Sequence, residues 1–167
     1  PKGVPQTHRR WTTVAYLFSA EWRMDRNTRL QVLPPMYTSG GTGMSIMILT
    51  LGGTLILCSV APERILQVIQ EQRPNYTMFT PTLLAMTLRH PKIGDYDLSS
   101  IKRWFTSGAP ITAELLKEGS KYFGDHFIQP YGTTETALLG CCLHEDEREI
   151  DGPLSRRLTS VGRAGLG

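Results

Sequence analysis

Residues 54–88 read TLILCSVAPERILQVIQEQRPNYTMFTPTLLAMTL, and this stretch decides the fold class. It contains two short apolar runs, at 54–58 and 76–79. Each run is followed by a proline, Pro62 or Pro81, which opens a segment with apolar residues at helical spacing. Short strands that alternate with helices are typical of parallel βα units. Because 54–58 is apolar at successive positions, we expect this strand to be buried on both faces.

The same alternation continues on both sides of this stretch. Proline and glycine mark most of the junctions, and Thr112 is a plausible helix N-cap. The further predicted elements are a helix over 12–24, a strand over 30–33, a buried helix over 43–51, a strand over 102–106, a helix over 113–123 and a last strand over 126–129. The sequence therefore predicts an α/β fold, in which repeated βα units form a mostly parallel sheet flanked by helices.

The composition excludes several classes of protein. Hydrophobic residues make up 40% of the 167 positions and charged residues 20%, which predicts a globular core. The net charge of +3 is small and scattered, so a nucleic-acid partner is not expected. No apolar run has the length of a transmembrane helix. The three cysteines, Cys58, Cys141 and Cys142, have neither disulfide nor metal-site spacing, which favours reduced thiols in a cytoplasmic protein.

Three loops follow predicted strands and are candidates for a ligand site. They are residues 34–43, 107–110 and 130–136. Ligands of open parallel sheets bind at the carboxyl ends of the strands, so we expect these loops to converge there. The four histidines are far apart and have no obvious acid or nucleophile partner, so none is predicted to be a catalytic base.

The loop that starts at Tyr131 has the residue types of a phosphate and metal site. Gly132 allows close backbone approach, and Thr133 and Thr134 offer hydroxyl groups beside backbone N–H groups. Glu135 adds a carboxylate suited to Mg²⁺, and Tyr131 offers a ring for stacking on a base. The residues alone leave an alternative open, in which Thr134 caps a helix. The Glu135 carboxylate would then interact with the positive N-terminal end of the helix dipole.

The other loops are weaker signals. Ser107-Gly108-Ala109-Pro110 contains small residues that could form one wall of a flat pocket, but such residues are common before helices. The glycine-rich residues 37–43 lack the lysine of a phosphate-binding loop, so we interpret them as a closely packed loop that enters a buried helix. Lys2 alone is no more than a surface lysine near the chain start.

Five motifs in this order resemble the adenylate-forming, or AMP-binding, superfamily. Its members include acyl- and aryl-CoA synthetases and the adenylation domains of peptide synthetases. The most diagnostic string is Gln129-Pro130-Tyr131-Gly132-Thr133-Thr134-Glu135, and the other motifs are residues 1–8, 33–41, 107–110 and 160–163. Together they cover essentially the whole chain and favour the acid–CoA ligase branch.

The resemblance implies a role for each matching residue. Glu135 would bind Mg²⁺ and, with Thr134, act in catalysis. The nucleotide, ATP or AMP, would be bound by Lys2, Gly108, Ala109, Pro110, Gln129, Tyr131, Gly132, Thr133 and Thr134. Coenzyme A and a small-molecule carboxylate would be the other substrates, and Tyr37, Thr38, Gly40 and Gly41 would line the acyl and CoA pocket. Many CoA ligases have an aromatic–His pair where this chain has Tyr37-Thr38, which leaves the shape of the acyl pocket open.

The resemblance also implies that residues 1–167 are an internal part of the large N-terminal domain of such an enzyme, without its C-terminal lid domain. We expect the chain by itself not to catalyse the full reaction. The acid is predicted to be fatty or otherwise apolar, and a long-chain acid would place the protein at the membrane surface. The oligomeric state is not predicted. Two alternatives remain: an amino-acid adenylation domain, which usually has an Asp near Tyr37, and a non-catalytic nucleotide-binding module, against which Glu135 argues.

Overall fold

The computed structural model describes residues 3–138 and 140–166. The helices in these residues are α1 His8–Trp22, α2 Ser39–Thr50, α3 Pro62–Gln72, α4 Pro81–Leu88 and α5 Ala113–Phe123. The strands are β1 Arg29–Val32, β2 Thr54–Leu57, β3 Tyr76–Phe79, β4 Arg103–Thr106, β5 Phe127–Tyr131, β6 Cys141–Leu143 and β7 Arg163–Ala164. Three short 3₁₀ turns lie at Ile93–Asp95, Glu145–Glu147 and Ser155–Arg157.

The strands form one sheet in the order β2-β1-β3-β4-β5-β6-β7. The first five strands pair in parallel, whereas β6 and β7 are antiparallel to their neighbours. The chain moves outward from β1 to β2 and returns to place β3 on the other side of β1, so the strand order reverses between β1 and β3. The predicted α/β fold with a mostly parallel sheet is confirmed.

Two apolar cores lie on opposite faces of the sheet. One contains the inward sides of α3, α4 and α5, and the other contains those of α1 and α2. Neighbouring strand residues point to opposite faces, so Trp104 belongs to the first core and Phe105 to the second. Both side chains are fully buried. The molecule is therefore a three-layer α/β/α sandwich.

Threonine caps set the starts of four helices, because each hydroxyl accepts a hydrogen bond from a backbone N–H in the first helical turn. Thr112 begins α5 as predicted. Thr7 and Thr38 also cap, so α1 and α2 each begin four residues before the predicted positions 12 and 43. The start of α2 was missed because Gly40, Gly41 and Gly43 resemble a loop.

The expectation for strand 54–58 is wrong in one respect. The strand forms, as β2, but it lies at the edge of the sheet and is not buried on both faces. Leu57 is exposed and Ile56 is buried. The apolar residues of this run favour a strand and supply one buried side chain. They do not mean that both faces of the strand are covered.

Two strands follow the predicted last strand. β6 pairs with the end of β5, and β7 pairs with β6. Gly162, just before β7, has a φ of 76°, and a Cβ at this position would lie 1.9 Å from the carbonyl oxygen of Cys142. A glycine is therefore required where the chain turns back onto the sheet.

No helix in the described part of the chain is long and apolar enough to cross a membrane.

We predict a large stability difference between two leucine truncations in helices. Leu66 on α3 is fully buried, whereas Leu49 on α2 is mostly exposed. Leu66→Ala should lower the free energy of unfolding by about 2–5 kcal/mol, because the packed core is left with a cavity. Leu49→Ala should change it by less than about 0.5 kcal/mol. Urea unfolding followed by circular dichroism measures both, and equal losses would contradict the layer assignment.

Candidate functional site

The loops after β4 and β5 enclose a cavity of about 470 Å³. The two strands pair in parallel, with Phe105 opposite Ile128, so both loops leave the same edge of the sheet. The cavity is lined by Thr106, Ser107, Gly108, Ala109, Pro110, Ile111, Gln129, Pro130, Tyr131, Gly132, Thr159 and Val161. Two of the three predicted loops therefore line this cavity, beside β4 and β5, and the third, residues 34–43, contacts the 130–136 loop through Ser39 and Thr134.

The first wall is the loop of small residues after β4. Gly108 has a φ of 90°, a conformation that favours glycine, and Ser107 donates its N–H to the carbonyl of Phe79 at 3.2 Å. These two features hold the backbone flat against the neighbouring strand end. Ala109 and Pro110 add no polar side chain, so this wall offers backbone atoms and apolar surface.

The second wall carries the polar and aromatic groups. Tyr131 is 52% exposed, so its ring is open to a ligand. Gln129 is only 7% exposed, and its Oε1 has no hydrogen-bond partner among the described residues. The hydroxyl of Thr106 is likewise buried and has no described partner. Buried polar groups are normally hydrogen-bonded, so this wall requires a polar partner, either water or a ligand.

Residues 133–136 form a tight turn just after the cavity. Thr133 donates its N–H to the Thr136 hydroxyl at 2.9 Å, and the Thr136 N–H returns to the Thr133 hydroxyl at 3.3 Å. No helix begins there, since residues 134–138 are turns. The interpretation of Thr134 as a helix cap is therefore wrong. Ala137 and Leu138 have φ values of 52° and 72°, which are strained for residues other than glycine.

The turn is attached to two helix starts far away in the chain. Gln6 donates to the carbonyl of Thr134 at 2.9 Å, and Arg10 donates to the carbonyl of Glu135. The hydroxyls of Ser39 and Thr134 lie 3.0 Å apart. Glu135 is exposed, and no ion pair within the described part of the chain involves its carboxylate. An exposed, unpaired carboxylate beside two hydroxyl groups has the chemistry of a site for a hard cation.

The residues predicted for the acyl and CoA pocket do not line this cavity. Tyr37 is fully exposed to solvent, and Thr38 caps α2. Gly40 and Gly41 lie in the first turn of that helix, and a Cβ on Gly41 would be 2.2 Å from the carbonyl oxygen of Pro35. Close packing therefore explains Gly41, as the sequence predicted. Lys2 lies outside the described residues.

Thr159 and Val161 line the cavity although neither was predicted as a site residue. Val161 belongs to the motif at 160–163, from which no site residue was predicted, and Thr159 directly precedes that motif. Pairing of β7 with β6 brings this segment back to the cavity.

Two histidines have acid partners that the sequence did not indicate. His144 Nε2 lies 2.7 Å from a carboxylate oxygen of Glu21, and His126 Nδ1 lies 3.4 Å from one of Glu145. Both histidines thus have acid partners distant in sequence. The three cysteines are free thiols. Burial raises the pKa of the Cys142 thiol to about 12, although the nearby Trp22 side chain lowers it in part.

We predict that Gly132→Ala distorts the site. A Cβ at Gly132 would lie 2.2 Å from the backbone carbonyl of Leu138, so the turn must move. The substitution should cost about 1–3 kcal/mol of folding stability and weaken nucleotide binding. Gly94→Ala is the control, because nothing lies within 4 Å of a Cβ there. Thermal unfolding and nucleotide titration measure both effects, and equal behaviour of the two variants would contradict the close contact.

Comparisons with known proteins identify the family. A sequence profile of the AMP-binding enzyme family matches residues 1–166. The chain is 30% identical over 166 residues to the medium/long-chain-fatty-acid–CoA ligase FadD8 of Mycobacterium tuberculosis (strain ATCC 25618 / H37Rv), covering 99% of this chain and 28% of that protein. It is 33% identical over 143 residues to a feruloyl-CoA synthase of Amycolatopsis sp, covering 82% of this chain and 28% of that protein.

Among solved structures, the N-terminal domain of FACL13 from Mycobacterium tuberculosis superposes with a TM-score of 0.87 at 24% identity, over 99% of this chain and 41% of that one. This likeness shows the fold. The chain spans 28% of the length of each of the two curated relatives named above. The profile match over residues 1–166 confirms the resemblance of the motifs, and the chain belongs to the AMP-binding enzyme family of adenylate-forming enzymes.

Proposed function

We propose that the whole protein is an acid–CoA ligase, which activates a carboxylic acid with ATP and transfers the acyl group to coenzyme A. The observation that carries the proposal is the cavity between the β4 and β5 loops, with Tyr131 open and Gln129 Oε1 buried without a described partner. An apolar wall facing an aromatic ring suits a flat base, and the buried polar atoms suit its ring nitrogens and amino group.

In this proposal the adenine lies in the cavity. Gly108, Ala109 and Pro110 form one side of the slot, and the Tyr131 ring stacks on the other. The amide of Gln129 and the hydroxyl of Thr106 supply the hydrogen bonds that a buried polar edge needs. Thr159 and Val161 close the slot from the chain segment before β7.

The phosphates lie over the turn that follows. The backbone carbonyls of Thr134 and Glu135 accept hydrogen bonds from Gln6 and Arg10, and these contacts hold the turn in place. Thr133 and Thr134 donate hydroxyl hydrogens to phosphate oxygens. Glu135 would hold Mg²⁺, which when bound neutralises phosphate charge. Lys2 is the proposed contact to pyrophosphate.

The chemistry consists of two substitutions. A carboxylate oxygen of the acid attacks the α-phosphorus of ATP, an acyl–phosphate bond forms, and pyrophosphate leaves. The sulfur of CoA then attacks the acyl carbonyl, its proton is lost to solvent, and AMP leaves. The residues described here contribute by alignment and by neutralising charge that develops on the phosphate, which is the main need of such reactions.

The acid is proposed to be fatty or otherwise apolar. The relatives support this class by name, since one is a medium/long-chain-fatty-acid–CoA ligase and another a feruloyl-CoA synthase. The α2 side of the turn, with Tyr37, Thr38, Gly40 and Gly41, remains the proposed location of the acyl and CoA pocket. It adjoins the nucleotide turn through the contact between Ser39 and Thr134.

A substrate screen tests the proposed class. ATP–pyrophosphate exchange with the whole protein should be supported by apolar carboxylic acids, and CoA should then yield the thioester. Exchange supported only by amino acids would favour an adenylation domain of a peptide synthetase. ATP binding without exchange for any acid would favour a non-catalytic nucleotide-binding module.

We predict that the Tyr131 ring, not its hydroxyl, carries adenine binding. Tyr131→Ala should weaken ATP binding by about 10- to 100-fold, since base–aromatic stacking is worth about 1–3 kcal/mol. Tyr131→Phe keeps the ring and should bind within about threefold of the parent. Isothermal titration with ATP measures both. Equal losses in the two variants would place the contribution in the hydroxyl.

We predict that Glu135→Ala lowers the exchange rate by about 100-fold or more, because charge on the phosphates is no longer neutralised at the turn. Glu118→Ala, which removes an exposed carboxylate on α5, is the matched control and should be neutral. Initial exchange rates at saturating Mg²⁺ measure the effect. An unchanged rate in Glu135→Ala would remove Glu135 from the metal site.

A further inference from the structure

Three side chains with metal-ligating atoms meet away from the nucleotide cavity. Glu21 comes from the last turn of α1, Cys142 from β6, and His144 follows β6 directly. One ligand atom from each lies within 4.8 Å of the other two. All three residues are buried, with exposed fractions of 9%, 1% and 8%. None of them lines the nucleotide cavity.

The fold explains why these residues meet. Cys142 and His144 are two positions apart on an extended segment, so their side chains leave the same face. That face is covered by α1, because Cys142 packs in the same core as Trp22. Glu21 on the adjacent position of α1 is thereby brought over the strand, 121 and 123 residues before its two partners. No local pattern in the sequence signals this meeting.

Glu21 and His144 are held in place by hydrogen bonds. One Glu21 oxygen lies 2.7 Å from His144 Nε2, and the other accepts the N–H of Leu166 at 2.6 Å. Hydrogen bonds of this kind orient metal ligands.

A second cavity, of about 230 Å³, opens beside the cluster and includes Glu21 and His144 in its lining. It offers a path for an ion and room for a water ligand. Two cations also line it, but Arg23 is paired with Glu145 at 3.1 Å and Arg163 with Glu147 at 2.9 Å. Both guanidinium groups therefore have a carboxylate partner, although Arg23 shares Glu145 with Arg103.

We propose that Glu21, Cys142 and His144 form a binding site for a thiophilic divalent d-block cation such as Zn²⁺. Sulfur, imidazole and carboxylate are zinc ligands, and three protein ligands plus one water complete a tetrahedron. Tetrahedral zinc with ligand distances of about 2.0–2.3 Å places its ligand atoms about 3.3–3.7 Å apart, so the widest pair closes by about 1 Å on binding. Zinc binding by a thiol releases the proton of that thiol.

Such an ion joins parts of the chain that are distant in sequence. It connects the end of α1 to β6, and through the Leu166 N–H to the segment after β7. Thr159 and Val161, which line the nucleotide cavity, precede β7 in the same segment. The site is therefore structural in character and does not depend on the proposed ligase activity.

Metal titration of the reduced, metal-free whole protein tests the proposal. Zn²⁺ competed against a chromophoric chelator should show a site with a dissociation constant below about 1 μM. Co²⁺ should give a thiolate charge-transfer band and the visible bands of a tetrahedral centre. Cys142→Ser should abolish the charge-transfer band, and His144→Gln and Glu21→Gln should each weaken Zn²⁺ binding by at least about 100-fold.

Two matched controls should leave binding unchanged. Cys141→Ser alters the adjacent thiol, and His126→Gln alters the other histidine that faces a carboxylate. Circular dichroism of each metal-free variant checks its fold, and Cys142→Ala replaces Cys142→Ser if the latter does not fold. Absence of the Co²⁺ thiolate band in the parent protein overturns the proposal whatever the variants do. Loss of the band in Cys141→Ser with retention in Cys142→Ser also overturns it.

Discussion

Parallel pairing of β4 with β5 is the contact on which the site is built. Trp104 on β4 packs against Phe127 on β5 with ring centroids 5.0 Å apart, and its indole N–H donates to the carbonyl of Gly124 at 2.9 Å. A Cβ on Gly119 of α5 would lie 2.8 Å from the Trp104 ring, so the helix comes as close as glycine allows. This close packing fixes the register of the two strands, so their two loops face each other across one cavity.

The starts of three helices could be predicted from single residues. Pro62 and Pro81 open helices and Thr112 caps one, and all three helices begin where these signals predict. Errors arose where two local signals compete. The glycines after Thr38 indicate a loop, yet the threonine cap and close packing on Pro35 begin α2 there. The place of β2 at the sheet edge depends on pairing partners, which no short window of sequence contains.

The candidate site also has one part that the sequence predicts and another part that it does not. Its two main loops follow strands directly, so the position of Tyr131 beside Gly108 could be expected from the rules of parallel sheets. The contributions from distant segments could not be expected from these rules. Thr159 reaches the cavity only because β7 turns back onto β6, and Glu21 meets His144 across 123 positions. Such pairs depend on the three-dimensional path of the chain. Residue type and spacing describe only residues that are close together in the sequence.

The attachment of the 133–136 turn to the start of the chain also has a kinetic consequence. Gln6 and Thr134 are 128 positions apart, and Arg10 and Glu135 are 125 apart. Contacts of this separation require closure of nearly the whole chain, and such contacts slow folding. The βα units between them are local and can form first. We therefore expect the 133–136 turn to be the last part of the candidate site to become ordered, only after the sheet has brought it beside α1.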